Sequence, residues 1–161
     1  FRGRGAKEAT YDYSRIDFEA LYEQCGEDTV VALRMHHFIP GPVPIPEHLR
    51  DRFVDASHYA DGNELLLVTD VLVTDYSSII YEFSLLKRPM LFFAYDEQSY
   101  SAVRGFHRPY AETAPGKVCH TFDELLTACA RRTSRPGAGT GSARRTSITS
   151  THTRPTASST G

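Results

Sequence analysis

The chain has 161 residues, 40% of them apolar, which is enough for one domain with its own hydrophobic core. No apolar run approaches the roughly 20 residues that cross a bilayer, and no secretory signal opens the sequence, so we expect a soluble or peripheral protein. All 20 acidic residues precede residue 131, whereas six of the 18 basic residues follow residue 130. An acidic body repels phosphate backbones, and this argues against nucleic acid as a partner.

The first half of the chain alternates helix-like and strand-like segments. Apolar side chains recur along Ile16–Gln24 at helical spacing, and Thr29–Met35 is an apolar run typical of a buried strand. A Pro-rich loop separates it from a short predicted strand at Phe53–Ala56. Asp61 followed by Glu64 forms a capping box, which predicts a short helix that ends near Leu67.

The second half continues the alternation. We predict strands at Val71–Thr74 and Met90–Tyr95, with a helix at Ser78–Lys87 between them. A second capping box, Thr121 to Glu124, begins a helix that ends near Ala130. Apolar strands that alternate with helices are typical of a parallel sheet covered on both faces, so the predicted fold class is α/β, Rossmann-like.

The composition changes abruptly at Arg131. The remaining residues are Ser, Thr, Arg, Gly, Ala and Pro, with one histidine and one large aliphatic side chain, Ile148, and they cannot bury enough apolar area to offset the entropy of ordering. We therefore divide the chain into a folded domain at 1–130 and a disordered basic tail at 131–161. The tail is open to three interpretations: an arm that touches anionic lipid, a disordered extension, or a translation of the wrong frame.

Metal and cofactor sites are not indicated. Cys25, Cys119 and Cys129 lack metal-ligand spacing, and an odd number of cysteines argues against a disulfide framework, so we expect reduced thiols. Asp75 has no second carboxylate at a convincing spacing, which favours a role in ordering its turn over metal binding. No cofactor is expected.

A polar turn between a strand and a helix is the most informative feature. Val71–Thr74 leads into Asp75, Ser77 and Ser78, where a helix is expected to begin. Ligands of open α/β sheets bind at the carboxyl ends of strands, and a helix start offers free N–H groups for phosphate. Glu82 lies one turn later, in reach of a ribose. The alternative is structural, with the serines as caps and Glu82 as a solvated position.

Motifs along residues 1 to about 128 carry a family resemblance. The segment VLVTDYSSIIYEFSLLKRPMLFFAYDEQSY, together with FRG at the start, RMH at 34–36, DASHYADGNELL at 55–66, RGF at 104–106 and PGK followed by TFDELL, resembles the CDP-glycerol glycerophosphotransferase family. This family includes teichoic acid primases and polymerases. Several motifs in the family's order are more specific than any one of them.

The resemblance implies the C-terminal, nucleotide-binding lobe of a GT-B-like transferase. It implies that Ser77 and Ser78 contact the diphosphate of the donor and that Glu82 contacts its ribose, with Asp75 in the same substrate-binding turn. It also implies that His36 stabilises phosphate or transfers a proton, although His37 stands where many relatives have proline. Arg104, next to a glycine that permits close approach, is a candidate phosphate clamp or a surface arginine.

The implied reaction transfers glycerol phosphate from CDP-glycerol to a hydroxyl of a lipid-linked wall-polymer acceptor, with release of CMP. The expected location is the cytoplasmic face of the bacterial membrane, where the protein would be peripheral. A second family histidine lies upstream of the FRG element, and Phe1 is not an initiator methionine, so we expect a fragment that is inactive alone. The family's closing segment and acceptor lobe are also missing.

Three alternatives differ in class. A sibling transferase would use CDP-ribitol or another polyol donor, because the visible motifs contact the nucleotide and not the polyol. A non-catalytic nucleotide-binding module would explain the missing lobe. A flavodoxin-like receiver is disfavoured, since Asp75 lacks the acidic pair that a Mg²⁺ site requires. The choice between primase and polymerase stays open.

Overall fold

A six-stranded parallel sheet forms the centre of the computed structural model, which describes residues 11–37, 39–75, 77–95, 97, 114–133 and 144–150. The spatial order of the strands is β2-β1-β6-β3-β4-β5, and every described pair is parallel. This confirms the predicted α/β fold class. The strands are β1 (Thr29–Met35), β2 (Phe53–Asp55), β3 (Val71–Thr74), β4 (Met90–Phe93), β5 (Lys117–Cys119) and β6 (Arg144–Ser150).

In the described ranges, four α-helices cover the sheet: α1 (Phe18–Gln24), α2 (Gly62–Leu67), α3 (Ile79–Ser84) and α4 (Phe122–Thr133). Successive strand residues point to opposite faces. One face packs β1, β3 and β4 side chains against α1 and α4, and the other packs Leu72 and Phe92 against α2 and α3. Both faces of β3 and β4 are therefore buried, as their apolar runs predict.

The capping boxes predicted the starts of α2 and α4. The Asp61 carboxylate accepts a hydrogen bond from the Asn63 N–H, and α2 begins at the next residue. The helix predicted at Ser78–Lys87 is shorter than expected, since α3 ends at Ser84. A turn follows in which Lys87 has a φ of 53°, a left-handed conformation that cannot continue a helix.

The tail differs from the disordered segment that its composition predicted. α4 continues through Thr133 rather than ending at Ala130. Two arginines lie in its last turn, where the helix dipole stabilises positive charge. Residues Arg144–Ser150 form β6 in the middle of the sheet. This segment contains β-branched residues, and its backbone pairs with β1 on one side and β3 on the other. Composition alone does not predict such pairing. Residues 134–143 and 151–161 lie outside the described part.

The three cysteines are free and buried, as expected for reduced thiols. Burial raises the pKa of Cys129 to about 12, and the neighbouring thiols of Cys25 and Cys119 act in the same direction. A thiol with so high a pKa is an inert part of the core. No helix in the described residues has both the length and the apolar character that a membrane span needs.

Candidate active site at the carboxyl edge of the sheet

The carboxyl ends of the parallel strands meet at one edge of the sheet. His36 follows β1, Asp75 follows β3, Tyr95 comes two residues after β4, and His120 follows β5. Ligands of open α/β sheets bind outside this edge, at the point where the strand order reverses. Here β1 leads to β2 on one side and β3 leads to β4 on the other, so His36 and Asp75 flank the reversal point.

His36 and Asp75 are electrostatically coupled across this edge. The pKa of His36 lies below its ordinary value of 6.5, first because burial disfavours the charged imidazole and then because His37 repels it. The Asp75 carboxylate acts in the opposite direction and holds the pKa up. Asp75 is itself only 6% exposed. The two strands thus bring together an imidazole that is mainly neutral at pH 7 and a buried carboxylate.

The two adjacent histidines stack on each other. Their ring centroids lie 4.1 Å apart with an interplanar angle of 30°. His36 is half-buried and His37 is exposed. Of this stacked pair, His36 is the more buried residue, and Asp75 acts on its pKa.

A network of polar contacts fixes the strand end that carries His36. The Asp55 carboxylate accepts hydrogen bonds from the N–H groups of Val43 and Ser57, both at 2.9 Å. The Ser57 hydroxyl accepts one from the Met35 N–H at 3.2 Å. The Pro-rich loop, the end of β2 and the end of β1 are thereby joined one residue before His36.

Arg34 joins two of the sequence motifs. Its guanidinium donates to the Tyr59 carbonyl at 2.9 Å and lies against Gly62, where an added Cβ would come within 3.3 Å of it. The arginine of the RMH element is therefore engaged with the DASHYADG segment. These contacts join β1 to the DASHYADG segment, and neither of them involves a ligand.

The serine turn between β3 and α3 has a mixed character. The Ser77 hydroxyl accepts a hydrogen bond from the Ile79 N–H at 3.3 Å, so it caps the helix. Ser78 is the N-cap residue, but its exposed hydroxyl makes no capping bond. Thr74, at the end of β3, has a buried hydroxyl without a hydrogen-bond partner among the described residues. Two hydroxyl groups at this strand end are thus not used by the cap.

Two further predicted site residues are Glu82 and Arg104. Glu82 is exposed in the first turn of α3. Arg104 falls outside the described residues, so its predicted phosphate contact stays a prediction. Within the described ranges, no group of three or more His, Cys, Asp and Glu side chains is arranged to hold a metal ion.

The sequence reasoning missed another imidazole at this edge. His120 Nδ1 lies 3.5 Å from a Glu97 carboxylate oxygen and 3.4 Å from the Ala94 carbonyl oxygen. Its backbone N–H donates to Glu124 at 2.8 Å, which completes the cap of α4. The signal was available, since His120 stands between a short apolar run and a capping box. The strand KVC was too short to be predicted.

Comparison with known proteins identifies the family. The family model described as CDP-Glycerol:Poly(glycerophosphate) glycerophosphotransferase matches residues 1–146. The chain belongs to this family. The match covers the strand-turn-helix segment, the RMH element and the capping box of α4, so the sequence resemblance is confirmed.

Curated relatives of this chain include ribitol-phosphate and glycerol-phosphate polymerases. The teichoic acid ribitol-phosphate polymerase TarL of Staphylococcus aureus is 40% identical over 129 residues, which is 80% of this chain and 23% of TarL. A teichoic acid poly(glycerol phosphate) polymerase of Staphylococcus epidermidis is 41% identical over 105 residues, covering 65% of this chain and 14% of that protein. The chain spans about a quarter or less of these relatives.

Solved structures of a family member share the fold. The wall teichoic acid polymerase TagF matches with a TM-score of 0.65 and 37% identity over 73% of this chain and 29% of that one. A TagF variant soaked with CDPG matches with a TM-score of 0.66 and 33% identity over 81% and 32% of the two chains. The likeness confirms the GT-B-like fold class that the resemblance implied.

Proposed function

We propose that this chain is the nucleotide-binding part of a transferase that moves a polyol phosphate from a CDP-activated donor, CDP-glycerol first, to a hydroxyl of a growing wall polymer. The acceptor oxygen attacks the phosphorus that bears glycerol, and the bond between that phosphorus and the CMP oxygen breaks. CMP leaves with the bonding electrons, and the hydroxyl proton passes to a base. The step needs a base for the acceptor and stabilised charge on the phosphates.

The observation that carries the proposal is the placement of His36 and Asp75 at the reversal point of the sheet, where the carboxylate acts on the pKa of the imidazole. A lowered pKa leaves the imidazole mainly neutral at pH 7, so it can accept the proton of the attacking hydroxyl. Once protonated, it is stabilised by the Asp75 carboxylate, as carboxylates stabilise imidazolium in other transferases and hydrolases. His36 then also offers positive charge close to the phosphate oxygens.

The serine turn is the proposed site of the donor phosphates. Ser78 and Thr74 carry hydroxyl groups that the helix cap does not use, and a strand-to-helix turn supplies backbone N–H groups. The proposed contact of Glu82 with ribose is compatible with its exposed position on the first turn of α3. Arg104 is retained as the candidate cation for the diphosphate.

Calorimetric titration with CMP and CDP-glycerol tests this site. Replacing Ser77 and Ser78 together by alanine is expected to weaken binding by about 1 to 3 kcal/mol, the range for lost hydrogen bonds to a charged group. Ser84→Ala is the matched control, since this serine lies on the same helix and donates to the Tyr81 carbonyl. Equal affinity in all three proteins would reduce the serines to caps.

A CDP-ribitol donor is the second candidate. The ribitol-phosphate polymerase TarL supports this candidate, since its sequence identity to this chain equals that of a glycerol-phosphate transferase. The described edge offers contacts to the nucleotide and phosphates but no identified pocket for the polyol. A non-catalytic nucleotide-binding module is the remaining alternative, and it predicts donor binding without CMP release in any longer form of the protein.

The acceptor side of the reaction is assigned to other parts of the enzyme. The relatives are three or more times longer than their match to this chain, which leaves room for an acceptor lobe and a second histidine. We therefore propose that the chain binds donor but does not turn over alone. A lipid-linked acceptor and a position at the cytoplasmic membrane surface belong to the same proposal.

A further inference from the structure

The centre of the sheet contains a position that we call the central slot, the gap between β1 and β3 that β6 occupies. β6 pairs with β1 along all seven residues and with β3 along four. Ile148 lies opposite Leu33 on one side and Val73 on the other. Without β6, the sheet would separate into a two-stranded and a three-stranded part.

The strands that line the central slot are strongly apolar. Leu33 and Leu72 are fully buried, and Val31, Val71 and Val73 are buried as well. A parallel strand that is covered on both faces usually consists of a nearly continuous aliphatic run. The lining therefore fits an aliphatic strand.

β6 does not have that composition. Its sequence is Arg-Arg-Thr-Ser-Ile-Thr-Ser, with two cationic, four hydroxyl and one aliphatic side chain. Polar groups in a covered strand cost free energy unless each is hydrogen-bonded. β6 thus matches its neighbours in backbone pairing but not in side-chain chemistry.

The strand order provides a second, independent observation. In doubly wound sheets of order 3-2-1-4-5-6, the central position belongs to the strand that comes first in the chain. Here the order is β2-β1-β6-β3-β4-β5, which places the last strand in that position. The other five strands follow the usual arrangement without interruption.

We propose that the central slot is the seat of an aliphatic parallel strand from a part of the enzyme outside residues 1–161, and that β6 is a weaker, exchangeable occupant. The relatives carry most of their length outside the part that matches this chain, so enzymes of this kind contain further segments that can supply the strand. Ser150 pairs with Met35 and Thr149 with Thr74, so the carboxyl end of the slot lies between His36 and Asp75. The seated strand would fix the spacing of these two residues.

A labelled peptide with six consecutive valine and isoleucine residues between lysine pairs is the probe for the slot. The full chain is expected to bind it at least about tenfold more tightly than a control peptide in which serine replaces every second aliphatic residue, since the control leaves polar groups unpaired. Hydrogen exchange locates the binding. Amides of residues 144–150 should lose protection when the aliphatic peptide binds, whereas those of β1 and β3 should keep it.

Two substitutions in β6 shift the competition in opposite directions. Ile148→Asp weakens β6 and is expected to tighten peptide binding by about tenfold or more, because a carboxylate is costly at a register position paired with Leu33 and Val73 on apolar strands. Ser147→Val strengthens β6 and is expected to weaken peptide binding. If Ile148→Asp does not fold, Ser147→Val and the hydrogen-exchange experiment still show whether the peptide competes with β6 for the central slot.

Three outcomes would overturn the inference. Protection of 144–150 that persists with peptide bound would show that the peptide adheres elsewhere. Peptide affinity unchanged by Ser147→Val would show that β6 does not compete for the site. A peptide-independent dimer that exchanges β6 between copies, detected by size-exclusion chromatography, would assign the slot to a second copy of this chain.

Discussion

The Asp75 carboxylate acts on the pKa of His36, and this distinguishes His36 from an ordinary strand-end histidine. A histidine that follows an apolar strand is structural in most proteins, and a shifted pKa indicates a functional group only with a specific partner. Burial and His37 lower the pKa of His36, while Asp75 on the neighbouring sequence motif raises it. These opposing influences keep a proton acceptor available near pH 7 and stabilise its charged form.

His36→Ala in the complete transferase is the direct test of this role. A group that acts on the transferred phosphate contributes mainly in the transition state, so kcat should fall by about 10² to 10⁴ while donor affinity changes little. CMP release and donor binding are measured in parallel. His37→Ala, which removes the exposed stacking partner, should cost little. Large losses only in His37→Ala would reverse the assignment of the pair.

Asp55 is expected to stabilise the fold in a pH-dependent manner. Burial alone would raise its pKa, but hydrogen bonds from Ser57 and Val43 outweigh burial, and the pKa lies below its ordinary value of 3.8. A depressed pKa contributes stability that is present above the ordinary value and is lost as the pH falls through the depressed one. Asp55→Asn should therefore lower the unfolding free energy by about 1 to 3 kcal/mol at pH 6.5.

Urea unfolding at pH 6.5, 5, 4 and 3 checks the Asp55 prediction. The difference between variant and wild type should be constant at the two higher pH values and shrink towards pH 3. Ser57→Ala tests the same network from the other side, since it removes the acceptor of the Met35 N–H without changing a charge. A difference that is independent of pH would assign the effect to packing.

At the residue scale, the sequence predicted the edge of the sheet but not all of its contacts. His36 and Asp75 could be predicted because each directly follows an apolar strand, and parallel strands end at a common edge. The different exposure of His36 and His37 and the influence of Asp75 on the pKa of His36 required the structure, since the sequence shows only two adjacent histidines. The contact between His120 and Glu97 joins residues that are far apart in the chain, and no local periodicity predicts such a contact.

Gly116 allows β5 to pack closely against β4. A Cβ built at this position would lie 2.4 Å from the Met90 carbonyl oxygen and 3.0 Å from a ring carbon of Phe92. The oxygen belongs to the backbone and cannot move without displacing the strand. Gly116→Ala is therefore expected to destabilise the protein by about 1 to 3 kcal/mol, the usual cost of overpacking.

Gly62→Ala is the matched control for Gly116→Ala. Its added Cβ would meet only the far end of the Arg34 side chain, at 3.3 Å, and that end can shift. Gly62 is the first residue of α2, where alanine also favours the helix. Thermal unfolding should show a clear loss for Gly116→Ala and a small change for Gly62→Ala. Similar losses would mean that Arg34 is held more firmly than its contacts suggest.

At the element scale, the sequence predicted the helices and strands that local residue chemistry determines, and it missed the strands that form only by pairing with a neighbouring strand. The capping residue Asp61 and the apolar runs of β1, β3 and β4 mark those elements without tertiary information. β5 has three residues and β6 is polar, so neither carries a signal of its own. Both are strands because a neighbouring strand offers an unpaired edge, a long-range property that a window of sequence does not contain.

At the scale of the whole molecule, the chain corresponds to part of a longer enzyme type. It covers about a third of the matched TagF chains and about a quarter of TarL. The acidic residues all lie before residue 131, in the part that carries the candidate site. A negatively charged donor therefore needs local cations and N–H groups at the edge of the sheet, since the overall charge opposes its approach.

Donor binding should raise the thermal stability of the chain, and the size of the effect reports which part of the donor is contacted. A ligand at 100 times its Kd adds about 2.7 kcal/mol to the unfolding free energy, and each kcal/mol raises the Tm by about 2 to 4 °C in a chain of this size. The proposed site contacts the nucleotide and the phosphates but not the polyol, so CDP-glycerol and CDP-ribitol should raise the Tm equally, and CMP should raise it less. The Ser77→Ala, Ser78→Ala double variant should lose most of the difference between CMP and the two donors, because that difference comes from the second phosphate. A shift with CDP-glycerol alone would show that this part of the enzyme reads the polyol, and no shift with any of the three would contradict the proposed function.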